Sequence, residues 1–198
     1  RSLRLRGADY LRQIRKPADQ WKSLDDILPQ LHEFDLRFAA ADFEQAWQIL
    51  SLIGFHYLRA WGHYRMQADM TAKLVEPLIG TSLQTSVIGN LGICHRNLGE
   101  AREAVRCFEK CLELVRNPQS GIPNTGEEAV WLSNLGSTLD ILGETTRSIA
   151  CHERALEIDR ARRNLDGMAI DLHNLAGRFG ELGQTDRGIQ LCGQSIDI

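Results

Sequence analysis

The sequence predicts an all-α fold of stacked antiparallel helix pairs, and two recurring short motifs carry that prediction. The first motif is an asparagine followed by leucine and a small residue, and it begins at Asn90, Asn134 and Asn174. The second motif is leucine, glycine and then glutamate or glutamine, and it begins at Leu98, Leu142 and Leu182. Both motifs recur at intervals of 44 and then 40 residues. Two motifs that shift together along a chain indicate an internal structural repeat.

Each repeat is predicted to contain two helices joined by a tight turn. Between the two motifs of the first copy, Ile88, Leu91 and Leu98 follow helical spacing, which predicts one helix that ends at the glycine of the second motif. After that glycine, Ala104 and Phe108 begin the apolar face of a second helix. The repeated unit is therefore helix, turn, helix.

This unit resembles the tetratricopeptide repeat, whose pattern is W-x₂-L-G-x₂-Y followed by A-x₃-F. In the first copy the pattern falls on Ile88, Leu91, Gly92, His95, Ala104 and Phe108. In the second copy it falls on Leu132, Leu135, Gly136, Leu139, Ser148 and His152. In the third copy, which keeps the size pattern loosely, it falls on Leu172, Leu175, Ala176, Phe179, Gly188 and Cys192. The resemblance implies a right-handed α-α superhelix.

The repeat intervals exceed the minimal tetratricopeptide repeat of about 34 residues. This longer form resembles the subclass found in kinesin light chains and in the sensor arrays of signalling ATPases of the STAND and NB-ARC type. We predict three repeats within 85–198, at 85–118, 129–162 and 169–198, with a proline- and glycine-rich linker from Asn117 to Gly126. The chain is expected to be a fragment of a longer protein whose repeats continue beyond it.

Residues 1–84 are predicted to form degenerate or capping helix pairs. Helices are expected at Leu28–Ala40, Phe43–Ala60 and Tyr64–Val75. Trp21, Trp47 and Trp61 either cover the exposed end of the array or form a seam with a preceding domain. Both interpretations stay open at this point.

The composition of the chain indicates which kinds of partner and which cellular compartment are expected. The net charge of −3 argues against a nucleic-acid-binding domain, although residues 1–16 carry six cations and one acid. This basic segment is interpreted as a solvated helix face, with contact to an acidic neighbour or nucleic acid as the alternative. Five scattered cysteines favour reduced thiols and a cytoplasmic location, and no stretch has the length and apolarity of a membrane span.

The motif asparagines are the principal candidate binding residues. In stacked helix pairs the first helix of each pair lines the concave side, and Asn90, Asn134 and Asn174 are turned by about 100° from the core leucine beside them. An amide can pair with both the N–H and the C=O of an extended peptide. The resemblance implies this peptide-gripping role. The alternative is that each amide bonds to the neighbouring repeat and holds the stack together.

Further residues are expected on the same concave face. Ser137 and His173 line the predicted groove, together with small residues such as Gly89 that would let a peptide backbone approach. Arg96 and Asp140 follow their asparagines by six residues. Arg96 could hold a carboxylate of the ligand, and a surface ion pair between Arg96 and Asp140 is the alternative.

No constellation typical of catalysis or of cofactor binding is found in the sequence. A phosphate-binding loop with its lysine is absent, and the glycines of "GNLGICHRNLG" are attributed to helix packing. A zinc site around Cys107 and Cys111 and a Cys151–His173 nucleophile pair are the alternatives considered, and neither is favoured. We therefore expect no enzyme activity, no cofactor and no metal.

The resemblance implies a scaffold that binds a peptide or protein segment in its groove. One alternative is a sensor or autoinhibitory arm of a larger signalling ATPase, in which the occupant is another domain of the same parent chain. An alternative of another class is a cysteine-dependent hydrolase. Neither membrane nor nucleic acid is an expected partner.

Overall fold

The computed structural model describes residues 1–117 and 126–198, and it confirms the predicted all-α, tetratricopeptide-like fold of helix pairs. The described residues contain α-helices and short 3₁₀ and π segments, and none of them lies in a strand. They form two compact units, Arg1–Val87 and Ile88–Ile198. The α-helices are α1 (Ser2–Gln13), α2 (Leu28–Ala39), α3 (Phe43–Ile53), α4 (Tyr64–Val75), α5 (Gln84–Asn97), α6 (Ala101–Arg116), α7 (Glu127–Ile141), α8 (Thr145–Arg162), α9 (Leu165–Glu181) and α10 (Thr185–Ile196). The predicted linker falls largely on residues 118–125, outside the described residues.

The Arg1–Val87 unit has an aromatic and aliphatic core between its helices. Phe34 and Ile53 are fully buried there, and Trp21 and Trp47 are buried in the same cluster. Trp61 packs against this cluster while partly exposed. All three tryptophans therefore contribute to the core of their own unit.

The second helix predicted in this region ends earlier than expected. We predicted Phe43–Ala60, but α3 ends at Ile53 and is followed by a single π turn, Gly54–Leu58. The wider turn closes with Arg59 N–H donating to Gly54 C=O at 3.0 Å. A side chain at position 54 would meet the Gln67 amide at 2.7 Å, so glycine allows α4 to approach here.

The basic residues at the start of the chain are partly used within this unit. Arg15 forms an ion pair with the buried Glu33, and Arg4 donates to the Ala39 carbonyl at the end of α2. Lys16 pairs with Asp26 at 2.6 Å, and this hydrogen bond holds the pKa of Asp26 below its usual range. These contacts attach α1 and the residues after it to α2 and the turn that precedes α2.

The Ile88–Ile198 unit consists of successive helix pairs with the same turn. In each pair, one residue follows the end of the first helix, and the next residue is a glycine. This glycine adopts the left-handed backbone conformation: Gly99 at φ 78°, Gly143 at φ 74° and Gly183 at φ 75°. This conformation is strained for residues with a Cβ, which explains why the leucine-glycine motif recurs. The third pair starts earlier than residue 169, because Asn164 caps α9 through its side chain.

Inside each of the first two pairs, the small residue of the asparagine motif lies against a ring from the second helix. A Cβ at position 92 would lie 2.9 Å from the Phe108 ring, and one at position 136 would lie 2.7 Å from the His152 ring. His152, which stands at the aromatic position of the repeat pattern, is fully buried. These close contacts let the two helices of a pair approach each other.

Candidate functional site

A pocket of about 430 Å³ lies between α7 and α9 on the side formed by the first helices of the pairs. Five of its lining residues come from α7, four from α9, and the others from α5, the end of α8 and the turn before α9. The lining residues are Arg96, Ala129, Val130, Ser133, Asn134, Ser137, Asp159, Asn164, Asp166, Gly167, Ile170 and Asp171. We call this cavity the α7–α9 pocket.

The pocket brings together part of the predicted site. Arg96, Asn134 and Ser137 line it. The remaining predicted residues are not among its lining: Asn90 and Asn174 are half-buried on α5 and α9, His173 is exposed on α9, and Asp140 is half-buried on α7. The three motif asparagines therefore do not share this one cavity.

The Asn134 amide makes internal hydrogen bonds. Its Nδ2 donates to the Val130 carbonyl at 2.9 Å, and its Oδ1 accepts from Arg96 Nη1 at 3.1 Å. The Arg96 bond joins the first repeat to the second, which is the stacking role considered as an alternative for the asparagines. At this position the amide already holds two repeats together.

Asp140 pairs with Arg178 rather than with Arg96, which the sequence had suggested as its partner. Asp140 Oδ1 lies 3.5 Å from Arg178 Nη1 on α9, and Arg178 also pairs with Glu181 at 2.8 Å. The carboxylate of Asp140 thus connects α7 to the third repeat, whereas Arg96 contacts Asn134.

One expected groove residue is closed off by an aromatic ring. A Cβ at Gly89 would lie 2.2 Å from the Trp131 ring, so the indole occupies the space above this glycine. Trp131 in turn stacks on Phe108 with ring centroids 6.4 Å apart. The prediction that Gly89 lets a ligand backbone approach was wrong, because an adjacent helix fills that space.

Sequence reasoning missed the acidic side of the pocket. Asp159, at the end of α8, is 4% exposed and accepts a hydrogen bond from Asn164 Nδ2 at 2.9 Å. Gly167 passes so close that a Cβ there would lie 2.0 Å from Asp159 Oδ2. Asp166 lies in the first turn of α9, where the helix dipole favours an acid. Nothing in the sequence indicates that the charged residues around this turn face a groove.

One lining residue, Asp171, connects the pocket to the core of the second repeat. Asp171 is 1% exposed, and its Oδ1 lies 2.8 Å from His152 Nδ1. Its second oxygen, Oδ2, is buried without a hydrogen-bond partner among the described residues. A buried carboxylate oxygen that lacks a donor is costly, so its surroundings mark a place where a donor would be favourable.

Two aliphatic side chains flank the polar lining. Val130 on α7 is 48% exposed and Ile170 on α9 is 55% exposed. Single exposed aliphatic residues are ordinary on protein surfaces, but these two border the same pocket. The pocket therefore combines apolar walls with carboxylate, amide and hydroxyl groups.

The cysteine chemistry considered from the sequence finds little support in the local environments. Burial raises the pKa of the Cys107 thiol to about 11 and raises the pKa values of Cys111 and Cys151 as well. Such thiols are protonated near neutral pH, whereas nucleophilic cysteines have lowered pKa values. Across residues 1–117 and 126–198, no three His, Cys, Asp or Glu side chains group together as metal ligands.

Comparison with known proteins agrees with the architecture. Residues 82–161 match the family model described as Tetratricopeptide repeat. A search of curated proteins found no significant match. Within the described residues, no helix has the length and apolarity to cross a bilayer.

Solved structures with low sequence identity share the fold. The MamA protein gives a TM-score of 0.66 at 15% identity, over 99% of this chain and 90% of that chain. BtubC (BKLC) from P. vanneervenii gives 0.62 at 15% identity, over 99% of this chain and 88% of that one. The nearly identical TPR-like repeats of a putative kinesin light chain from Podosopora anserina give 0.55 at 12% identity, over 89% of this chain and 96% of that one. Together with the match over residues 82–161, these likenesses support the tetratricopeptide-like fold of the chain.

Proposed function

We propose that the side of the Ile88–Ile198 unit formed by α5, α7 and α9 binds a peptide or protein segment, so that the protein acts as an interaction scaffold. The observation that carries this proposal is the α7–α9 pocket, with exposed Val130 and Ile170 beside a polar floor. Pockets of about 300–1,000 Å³ with apolar walls and a few polar groups are typical binding sites. The match of residues 82–161 to a repeat family whose fold commonly serves protein recognition supports the same function.

In this proposal the motif asparagines have unequal roles. Asn134 lies in the pocket, and contact with a peptide would require its amide to exchange the bond from Arg96. Asn90 and Asn174 occupy the same motif position on the neighbouring first helices and extend the contact along the face. Ser137, whose hydroxyl donates to the Ser133 carbonyl at 3.0 Å, retains an oxygen that can accept a bond from a ligand.

The intramolecular alternative uses the same face. In that case the occupant is a segment of the parent chain, and the array is the sensor or autoinhibitory arm of a signalling ATPase. This association and a cytoplasmic location both stay predictions. His173 and Asp140 likewise stay predicted contacts.

Selection of random-sequence peptides displayed on phage would test the proposed function. Ser133→Trp places an indole in the pocket, and we expect the selected peptides to bind this variant at least about tenfold more weakly, as for loss of a central contact. Thr146→Trp, on an exposed position at the start of α8, is the matched control and should bind as the unchanged chain does. Equal binding to both variants, or no selected peptide at all, would contradict the proposal.

A further inference from the structure

We infer that the α7–α9 pocket accepts the side chain of a lysine or arginine from the bound segment. This inference rests on the proposed function and specifies the chemistry of one residue of the partner. It is carried by the charge of the pocket, by a buried carboxylate oxygen without a donor among the described residues, and by the arrangement of apolar and acidic walls.

The charge of the pocket is negative. Three carboxylates line it, from Asp159, Asp166 and Asp171, against the single guanidinium of Arg96. Arg96 already donates to Asn134 at 3.1 Å, on the α5 side of the pocket. The N-terminal dipole of α9 offsets only about half a charge. An entering anion would therefore face net repulsion, whereas an entering cation is attracted.

Asp171 supplies a second and independent indication. The side chain is 1% exposed and lines the pocket, and His152 occupies only its Oδ1. The buried Oδ2 has no hydrogen-bond donor among the described residues. A charged N–H group from a ligand would provide the missing donor and would form one of the stronger hydrogen bonds in proteins.

The apolar walls match the rest of a basic side chain. Lysine and arginine carry a long methylene stem that packs on apolar surface while the charged end reaches polar groups. Val130 and Ile170 are exposed at the pocket from facing helices and provide that surface. The acidic groups come from the end of α8 and from α9, so one extended side chain can contact both kinds of wall. A short acidic side chain would use neither.

The experiment uses single-residue probes that report on the pocket without knowledge of the natural partner. The N-acetyl methylamides of lysine, arginine, norleucine and glutamate are titrated separately into the ¹⁵N-labelled chain, and backbone amide shifts are followed. Norleucine has a similar stem without the charge, so it isolates the apolar contribution. We expect the basic probes to shift the amides of Asn134, Gly167 and Ile170 and to bind about tenfold more tightly than norleucine, as for a charge paired in a partly buried site.

A matched pair of variants locates the effect. Asp166→Asn removes a carboxylate of the pocket, whereas Asp186→Asn removes the corresponding exposed first-turn carboxylate of α10. We expect Asp166→Asn to weaken binding of the lysine probe about threefold or more, and Asp186→Asn to leave it unchanged. Asp171→Asn, which keeps the shape of the side chain, should weaken it further.

The results separate this inference from the proposed function. Equal binding of lysine and norleucine, preferred binding of glutamate, or equal effects of Asp166→Asn and Asp186→Asn would overturn the basic-residue inference. Peptides from the phage selection that need the pocket but contain no lysine or arginine there would overturn it as well, and the scaffold function would stand. The scaffold function itself fails if the selected peptides bind the Ser133→Trp variant as tightly as the unchanged chain.

Discussion

The first and second repeats build the same internal contact from different chemistry. In both, a glycine of the first helix lies against a ring of the second helix. The ring in the first repeat is Phe108, and it stacks on Trp131 of α7 at an interplanar angle of 18°. The ring in the second repeat is His152, and its neighbour is the carboxylate of Asp171. One contact is apolar and the other is a buried polar pair.

The difference teaches what each contact can do. Apolar packing stabilises without preference for direction, so the Phe108 contact contributes to the core alone. The buried hydrogen bond between His152 and Asp171 requires a particular geometry. If either partner is lost, the other becomes a buried polar group without a hydrogen bond, which is costly in free energy. Because Asp171 also lines the α7–α9 pocket, the polar core contact positions a group of the candidate site.

The largest effect is expected in the apolar repeat. Phe108→Ala removes a fully buried ring and should lower the free energy of unfolding by about 3–5 kcal/mol. Urea denaturation, followed by circular dichroism and tryptophan fluorescence, measures this loss. Phe108→Leu keeps most of the volume and should cost less than about 2 kcal/mol. A loss below about 1 kcal/mol for the alanine variant would show that the stacked rings are not central to the core.

A smaller effect is expected when the polar repeat is made to resemble the apolar one. His152→Phe fills the same space, as Phe108 does beside Gly92, but leaves the Asp171 carboxylate without its partner. We expect a loss of about 1–3 kcal/mol in the same denaturation experiment. Adding Asp171→Leu should recover most of it, because removing both partners of a buried polar pair is often nearly neutral. No recovery in the double variant would contradict a coupled pair.

The smallest effect concerns the bond between the first two repeats. Asn134→Ala removes the acceptor of Arg96 Nη1, whereas the Asn174 side chain has no hydrogen bond to another described residue. Alanine improves helix propensity at both positions by up to about 0.7 kcal/mol, so the comparison with Asn174→Ala isolates the two hydrogen bonds of the Asn134 amide, to Arg96 and to the Val130 carbonyl of its own helix. Asn134→Ala should be the less stable variant by about 0.5–1.5 kcal/mol in thermal or urea unfolding. Equal stabilities would mean that the hydrogen bonds of the Asn134 amide, including the one from Arg96, contribute nothing to the stack.

Much of the local architecture could be predicted from the sequence because it depends on short-range patterns. The left-handed turn at Gly143 and the start of α4 at Tyr64 follow from glycine conformation and helical spacing. The early end of α3 at Ile53 could not be predicted, since apolar residues continue past it and the residue that lies close to Gly54, Gln67, comes from another helix. The Gly89 prediction failed for the same reason, because Trp131 reaches it from a different helix.

Only part of the candidate site was accessible to the same reasoning. Arg96, Asn134 and Ser137 share first-helix positions that a repeat pattern can align, and the pocket contains them. Asp159 and Asp166 follow no such pattern, because they lie around the turn between two repeats. Charged residues at a turn are ordinarily solvated, and nothing local distinguishes those that face a groove.

By itself, the sequence determined where the helices of the Ile88–Ile198 unit lie and how they pair, because glycine turns and apolar periodicity act over a few residues. Tertiary structure alone decided which polar groups meet. It used the Asn134 amide to join two repeats, buried Asp171 against His152, and brought the acids around the α8–α9 turn to face α7. The physical reason is that side-chain pairs from separate helices depend on packing distances of a few ångströms, which no short-range pattern encodes.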